Sequence, residues 1–204
     1  MDSVQEQAIK VIRELGGIVD TDDRVPDNPV IAVNLDRSLV TDKVLLPLQN
    51  LKQLHYLILS QTRVTDKVME VLRTHPEIRR LNISATLITD NGLKLLKHGE
   101  SLEELYLGSN ITDNGLKHLR RLKKLKVIAI EESSVTDNGL RFISSLENLE
   151  VLFLSANQVS AESIRWIKKL RHLRIINLLG NSNSPDDPAL RLLKTSLPTL
   201  QIEW

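Results

Sequence analysis

Apolar positions along this chain keep two alternating rhythms. One has a period of two and yields the pairs Val33/Leu35, Leu57/Leu59, Leu81/Ile83, Leu105/Leu107, Ile128/Ile130, Leu152/Leu154, Ile176/Leu178 and Leu200/Ile202. Successive side chains of a strand point to opposite faces, so each pair predicts a short strand with one buried face. The other rhythm is helical: Leu45/Leu48/Leu51, Met69/Leu72, Leu93/Leu96, Leu116/Leu119/Leu122, Leu140/Ile143/Leu146, Ile164/Ile167/Leu170 and Leu190/Leu193. Between strand and helix sits one small polar residue: Ser38, Thr62, Thr86, Asn110, Ser133, Asn157 or Asn181. Then comes Ile/Val-Thr-Asp, or its variant Val159-Ser160-Ala161. Thr41, Thr65, Thr89, Thr112, Thr136 and Ser160, or the Asp that follows, are predicted helix N-caps. This mark sets the period. Its last residue is Asp42, Asp66, Asp90, Asp113, Asp137 and Ala161, with gaps of 24, 24, 23, 24 and 24 residues. One such unit cannot bury both its strand and its helix, so neighbours must stack.

The phrase Leu102-Glu103-Glu104-Leu105-Tyr106-Leu107-Gly108-Ser109-Asn110-Ile111-Thr112-Asp113-Asn114-Gly115-Leu116 states the unit most fully. It resembles the leucine-rich repeat family, whose units run to ~20–29 residues. It is most similar to bacterial proteins with planctomycete-type repeats and to the repeats of F-box proteins. The resemblance covers nearly the whole chain after residue 28. It implies an α/β fold, a right-handed horseshoe-shaped solenoid with a parallel β-sheet on the concave face and helices on the convex face. Residues 29–204 would hold about seven units and a terminal strand. In the family the small polar position is usually Asn, which bonds turn backbone of neighbouring units. Ser and Thr fill that role more weakly.

Residues 3–15 read as an amphipathic helix with Val4, Ala8, Ile12 and Leu15 on one face and Ile9 and Val11 beside it. Ser3-Val4-Gln5-Glu6 has capping-box spacing, and Gly16-Gly17 supplies the stop. Ile18-Val19 is a strand candidate, followed by an acidic loop, Asp20–Asn28. Residues 1–28 are expected to cap the open core of the first unit. The helix is too short for an F-box. Asn91-Gly92, Asn114-Gly115 and Asn138-Gly139 place Gly early in three helices, which predicts close approach to a neighbouring backbone. The fourth unit lacks one residue between Asn110 and Ile111, and the seventh has two extra between Leu178 and Leu190. The last strand, with Trp204, leaves an open edge and predicts self-association or contact with a further segment.

Strand residues between the inward pairs should line the concave face in three columns. The first runs Tyr56, Arg80, Glu104, Val127, Val151, Ile175. The second runs Ile58, Asn82, Tyr106, Ala129, Phe153, Asn177, and the third Ser60, Ser84, Gly108, Glu131, Ser155, Leu179. The candidate partner-binding residues are Tyr56, Ile58, Arg80, Glu104, Tyr106, Glu131, Val151, Phe153 and Ile175. Apolar and aromatic residues gathered on an open face mark interfaces. Just before the first column stand His55, Arg79, Glu103, Lys126, Glu150 and Arg174, whose alternating signs suit register along the stack. Phe142 and Trp166 share one helical position with Val71, Leu95 and His118, which predicts packing between helices.

Composition adds mainly exclusions. The net charge is +1, which gives no global attraction to nucleic acid or anionic membrane. Two basic clusters, Arg120-Arg121-Lys123-Lys124-Lys126 and Lys168-Lys169-Arg171-Arg174, read as solvated charges at helix C-termini. Glu147 and Glu150 interrupt any continuous basic stripe between them. The chain has no Cys, so disulfides, thiolate catalysis and Cys-based metal sites are excluded within it. Its five His show no zinc-binding spacing, and no P-loop, Gly-x-Ser-x-Gly or dinucleotide fingerprint occurs. The expectation is a non-enzymatic protein without cofactor or metal, cytoplasmic because residues 1–20 carry no secretory leader pattern. It would bind an unknown protein partner on the concave face, with no nucleic acid and no membrane. The alternative is a substrate-recruiting arm of a larger ubiquitin-ligase-like or effector assembly.

Overall fold

The structure is a computed structural model and describes residues 3–182 and 187–203. The period-two pairs become strands: β1 (Ile18–Thr21), β2 (Val30–Asn34), β3 (Tyr56–Ile58), β4 (Arg80–Asn82), β5 (Glu104–Leu107), β6 (Val127–Ile130), β7 (Val151–Phe153), β8 (Ile175–Asn177) and β9 (Gln201–Glu203). Among the described residues they form one nine-stranded sheet in chain order. β1 pairs antiparallel with β2, and every later pair is parallel. Parallel neighbours need a crossover. Each is supplied by a tight turn and a helical segment on the far side of the core. Val33 through Leu178, the inward pairs of the seven units, are buried throughout, as are the helical leucines and isoleucines that face them. Leu45 is only partly buried, and Ile202 in β9 is partly exposed at the end of the stack.

The helical segments are short and tightly wound. Gly92–His98 is entirely 3₁₀, and Asp113–Leu116 is one α-helical turn that tightens to 3₁₀ over Lys117–Arg121. Segments this short do not hold in isolation, so packing on the sheet and bonds between units must keep them.

A carboxylate ladder provides those bonds. The backbone N–H and the hydroxyl of Thr65 both donate to Asp42, at 2.7 and 2.6 Å. Thr89 does the same to Asp66, Thr112 to Asp90, Thr136 to Asp113 and Ser160 to Asp137, all within 2.9 Å. Each hydroxyl also accepts from the backbone N–H two residues on, at 3.2–3.4 Å. One oxygen thus caps its own helix and ties that helix to the previous unit through a charge-assisted bond. Thr41, at the head of the array, makes no side-chain cap. Ala161 replaces the Asp in the sixth unit, so the ladder ends at Ser160.

The ladder also explains the early glycines, and it corrects the expectation of backbone approach. A Cβ on Gly92 would lie 2.6 Å from Asp66 Oδ1. Gly115 and Gly139 are crowded in the same way by Asp90 and Asp113. The neighbour is the preceding unit's carboxylate, not its main chain.

The turn position after each strand is handled in two ways. Ser38, Thr62 and Thr86 donate to carbonyls of their own turn, Leu35, Leu59 and Ile83. Asn157 instead bridges units: its Nδ2 donates to Ile130 O at 2.6 Å and its Oδ1 accepts from Val135 N. Asn181 repeats this with Leu154 O and Val159 N. Asn110 and Ser133 each reach one carbonyl of the preceding unit. Arg37, Gln61, Ala85, Glu132, Ala156 and Gly180 take left-handed backbone in six of the turns. The shorter turn of the fourth unit has no such residue.

At the N-terminus, helix α1 (Ser3–Glu14) buries Gln5, Ala8, Ile9 and Ile12. Val4 and Leu15, expected on the buried face, are 47% and 38% exposed. The face is rotated because Gln5 is held inside: its Nε2 donates to Asn28 O and its Oε1 accepts from Val30 N at 3.1 Å. A polar side chain thus caps the start of β2. At the other end β9 is the outermost strand, and Trp204, singled out for the edge contact, lies outside the described residues.

Candidate partner-binding face

Sheet register fixes the concave face. Tyr56, Arg80, Glu104, Val127, Val151 and Ile175 are successive register partners, and so are Ile58, Asn82, Tyr106, Ala129, Phe153 and Asn177. Strands in a sheet lie ~4.8 Å apart, so each column is a row of touching neighbours. These side chains alternate with the buried pairs and point away from the helices. Of the nine candidate residues, eight are half-buried on β3, β4, β5, β7 and β8. Glu131, just past β6, is exposed and accepts a 2.6 Å hydrogen bond from Ser155 Oγ. Neither Tyr106 nor Phe153 is submerged. Ala129 is, because its methyl sits in register between those two rings. Ser60 is also buried and donates to Asp36 at 2.6 Å.

The face has a polar end and an apolar end. At the polar end Arg80 Nη2 donates to Glu104 Oε1 at 2.6 Å, and the Tyr106 hydroxyl donates to Glu104 Oε2 at 3.0 Å. The Arg80 guanidinium also lies 5.8 Å from the centroid of the Tyr56 ring. The bond to Glu104 raises the pKa of Arg80, and burial together with the Glu104 charge raises that of Tyr106. Arg80 Nε is buried without a partner. At the apolar end Val127, Val151, Ile175 and Phe153 adjoin, and Leu179 beyond them is 56% exposed.

Along the edge that feeds these strands, backbone bonds link His55, Arg79, Glu103, Lys126, Glu150 and Arg174 in sequence. Lys126 donates to Glu103 at 2.7 Å, which lowers the carboxyl's pKa, and Arg174 approaches Glu150 at 3.9 Å. Glu103, Lys126, Glu150 and Arg174 help line an open groove of about 510 Å³ with both signs in its wall. Exposed pairs of this kind are screened by solvent and contribute little to stability, which suits a role in register.

On the convex side Phe142 and Trp166 are half-buried against the core. Arg141 stacks over Phe142, and Arg165 and Lys169 stack over Trp166. A feature not visible along the sequence also appears here. Lys94 and Lys97 of the third unit face the Lys117–Lys123 stretch of the fourth across a groove of about 670 Å³. Among the described residues no cluster of His, Asp and Glu could hold a metal ion, and no helix is long and apolar enough to cross a membrane.

Strand–turn–helix units of this period, stacked right-handedly on one sheet with the strands concave and the helices convex, define a leucine-rich-repeat solenoid. Among solved structures the chain is similar in fold to an internalin C2 from Listeria monocytogenes str. 4b F2365. The TM-score is 0.69 at 20% identity, and the match covers 98% of this chain and 82% of that one. No family model and no curated protein sequence matches.

Proposed function

We propose that the chain is a non-catalytic protein-recognition module that holds a polypeptide partner against the concave face of its sheet. The observation behind this reading is the pair of register columns. They set Tyr106 and Phe153 beside Val127, Val151 and Ile175 on the sheet face opposite the described helical segments. The chain has only six aromatic residues, and Tyr56, Tyr106 and Phe153 are three of them. A face that met only water would have no use for such a concentration. Aromatic anchors ringed by half-buried apolar contacts carry most of the energy in protein interfaces. The Arg80–Glu104–Tyr106 cluster beside them would set the partner's orientation.

The test is capture of partner from cells of the source organism by immobilised protein, with a concave-face variant as control. Phe153→Glu should reduce capture by about thirtyfold or more, as expected for loss of a hot spot worth about 2 kcal/mol. Its melting temperature should stay close to that of the parent, because Phe153 is not part of the buried core. Undiminished capture by this variant would move the site off the concave face.

A further inference from the structure

The convex groove between the third and fourth units is lined by Lys94, Lys97, Lys117, Arg120, Arg121 and Lys123, with His118 and Ser145, and no carboxylate lies in its wall. Among the described residues most Lys and Arg form no ion pair, and what marks these six is that they share one wall. Arg24, Arg37, Arg73, Arg80, Lys126, Arg165 and Arg174 each form an ion pair. Among the described residues none of the groove's six cations does. Lys94 is held by the Asn91 side chain and Lys123 by Ser145 O, while the other four have no partner. The chain as a whole carries only +1, so this is a local concentration of charge, not a share of a general excess. His118 registers the same field: burial first, then Lys117 and Lys94, lower its pKa.

We propose that this groove is a second binding site, separate from the concave face, for an acidic polypeptide segment of a partner protein. Charge complementarity selects an anion, and the chemistry of the wall narrows the choice. No Phe, Tyr or Trp lines the groove, so nucleobases would lack the large flat platforms that single-strand binders use. A convex wall cannot follow a duplex, which is itself convex. Lys97, Arg120 and Arg121 lie at the ends of their helical segments, with Lys123 just beyond, where carbonyls rather than N–H groups face outward, so a compact phosphate dianion would lack the backbone donors it favours there. Long, mobile Lys and Arg side chains spread over two units match carboxylates spread along an extended chain.

The probe is a fluorescein-labelled decaglutamate peptide titrated with the full chain at low salt and again at about 0.3 M salt, where screening is strong. Binding should be measurable at low salt and fall at least about tenfold at the higher salt. Arg120→Gln/Arg121→Gln should weaken it by a similar factor, and Lys97→Gln/Lys117→Gln should do the same. All four residues are outside the buried core, so both variants should melt like the parent. Phe153→Glu should bind the peptide normally, which separates failure of this site from failure of the concave one. The proposal is overturned if decaglutamate does not bind or if both groove variants bind it undiminished. It is equally overturned if hexametaphosphate, an oligothymidine or anionic vesicles compete more strongly for the groove. Self-association abolished by the same variants, without peptide binding, would also overturn it, by making the occupant a second copy.

Discussion

The two halves of the array solve the same problems with different residues. In the first three units the turn position is Ser or Thr and bonds only its own turn, whereas in the sixth and seventh it is Asn and bonds across the junction. The concave face divides along the same line. Its early strands carry the Tyr56, Arg80, Glu104 and Tyr106 cluster, and its later strands carry Val127, Val151, Phe153 and Ile175. Stitching between units is therefore heaviest where the proposed anchor surface is most apolar. Such a surface is best presented on strands that do not move relative to one another, and the bridging Asn side chains supply that rigidity. The early half can rely on ion pairing and aromatic contact on the face itself.

The carboxylate ladder runs through both halves, so breaking it should not distinguish them. Asp113→Ala and Asp66→Ala each remove two bonds to a charged acceptor and should each cost about 3 kcal/mol in denaturant unfolding. A difference of more than about 1 kcal/mol between them would show that the halves differ in the ladder as well. The turn position should separate the halves. Asn157→Ala leaves Val135 N and Ile130 O without their partner and should cost about 2 kcal/mol. Thr62→Ala loses one local bond and should cost about 1 kcal/mol. Equal losses would remove the distinction between bridging and local turns.

The smallest expected effect is a pH dependence seated in the early half. His75 takes the place that Leu51, Leu122, Leu146 and Leu170 fill elsewhere, and it is buried. Its Nε2–H donates to Leu51 O at 2.8 Å, and Nδ1 accepts from the Thr74 hydroxyl at 2.8 Å. Burial keeps its pKa below the ordinary 6.5. In the unfolded chain the ring titrates near that ordinary value, so below about pH 6.5 the unfolded state gains a proton that the folded state refuses. Stability should decline as pH falls from there and be unaffected above. His75→Gln keeps a donor for Leu51 O and should flatten the decline in melting temperature between pH 7 and 5.5 relative to the parent. Identical slopes would place the pH response elsewhere.

What could be read from the sequence, and what could not, follows from how far apart the cooperating residues lie. The inward pairs and concave columns were legible because burial alternates along each strand and needs no knowledge of neighbours. The face of α1 was misread because Gln5 looks like a surface residue until its two backbone partners, at Asn28 and Val30, are known. Gly92, Gly115 and Gly139 were recognised as close approaches, but the group approaching them stands one unit earlier in the chain. The convex groove was hidden for the same reason. Its charges come from two units, and along the sequence each group reads as an ordinary basic helix end.

Ala161 has a consequence of its own. Where every earlier junction from Asp42 onward is clasped by a carboxylate, Ala161 offers none to the last unit, and among the described residues Asn181 and the Ser182 N–H to Val159 O bridge there on the turn side. Loss of that one clasp should let this junction open more readily than the ones before it, as a weak seam within an otherwise evenly fastened stack.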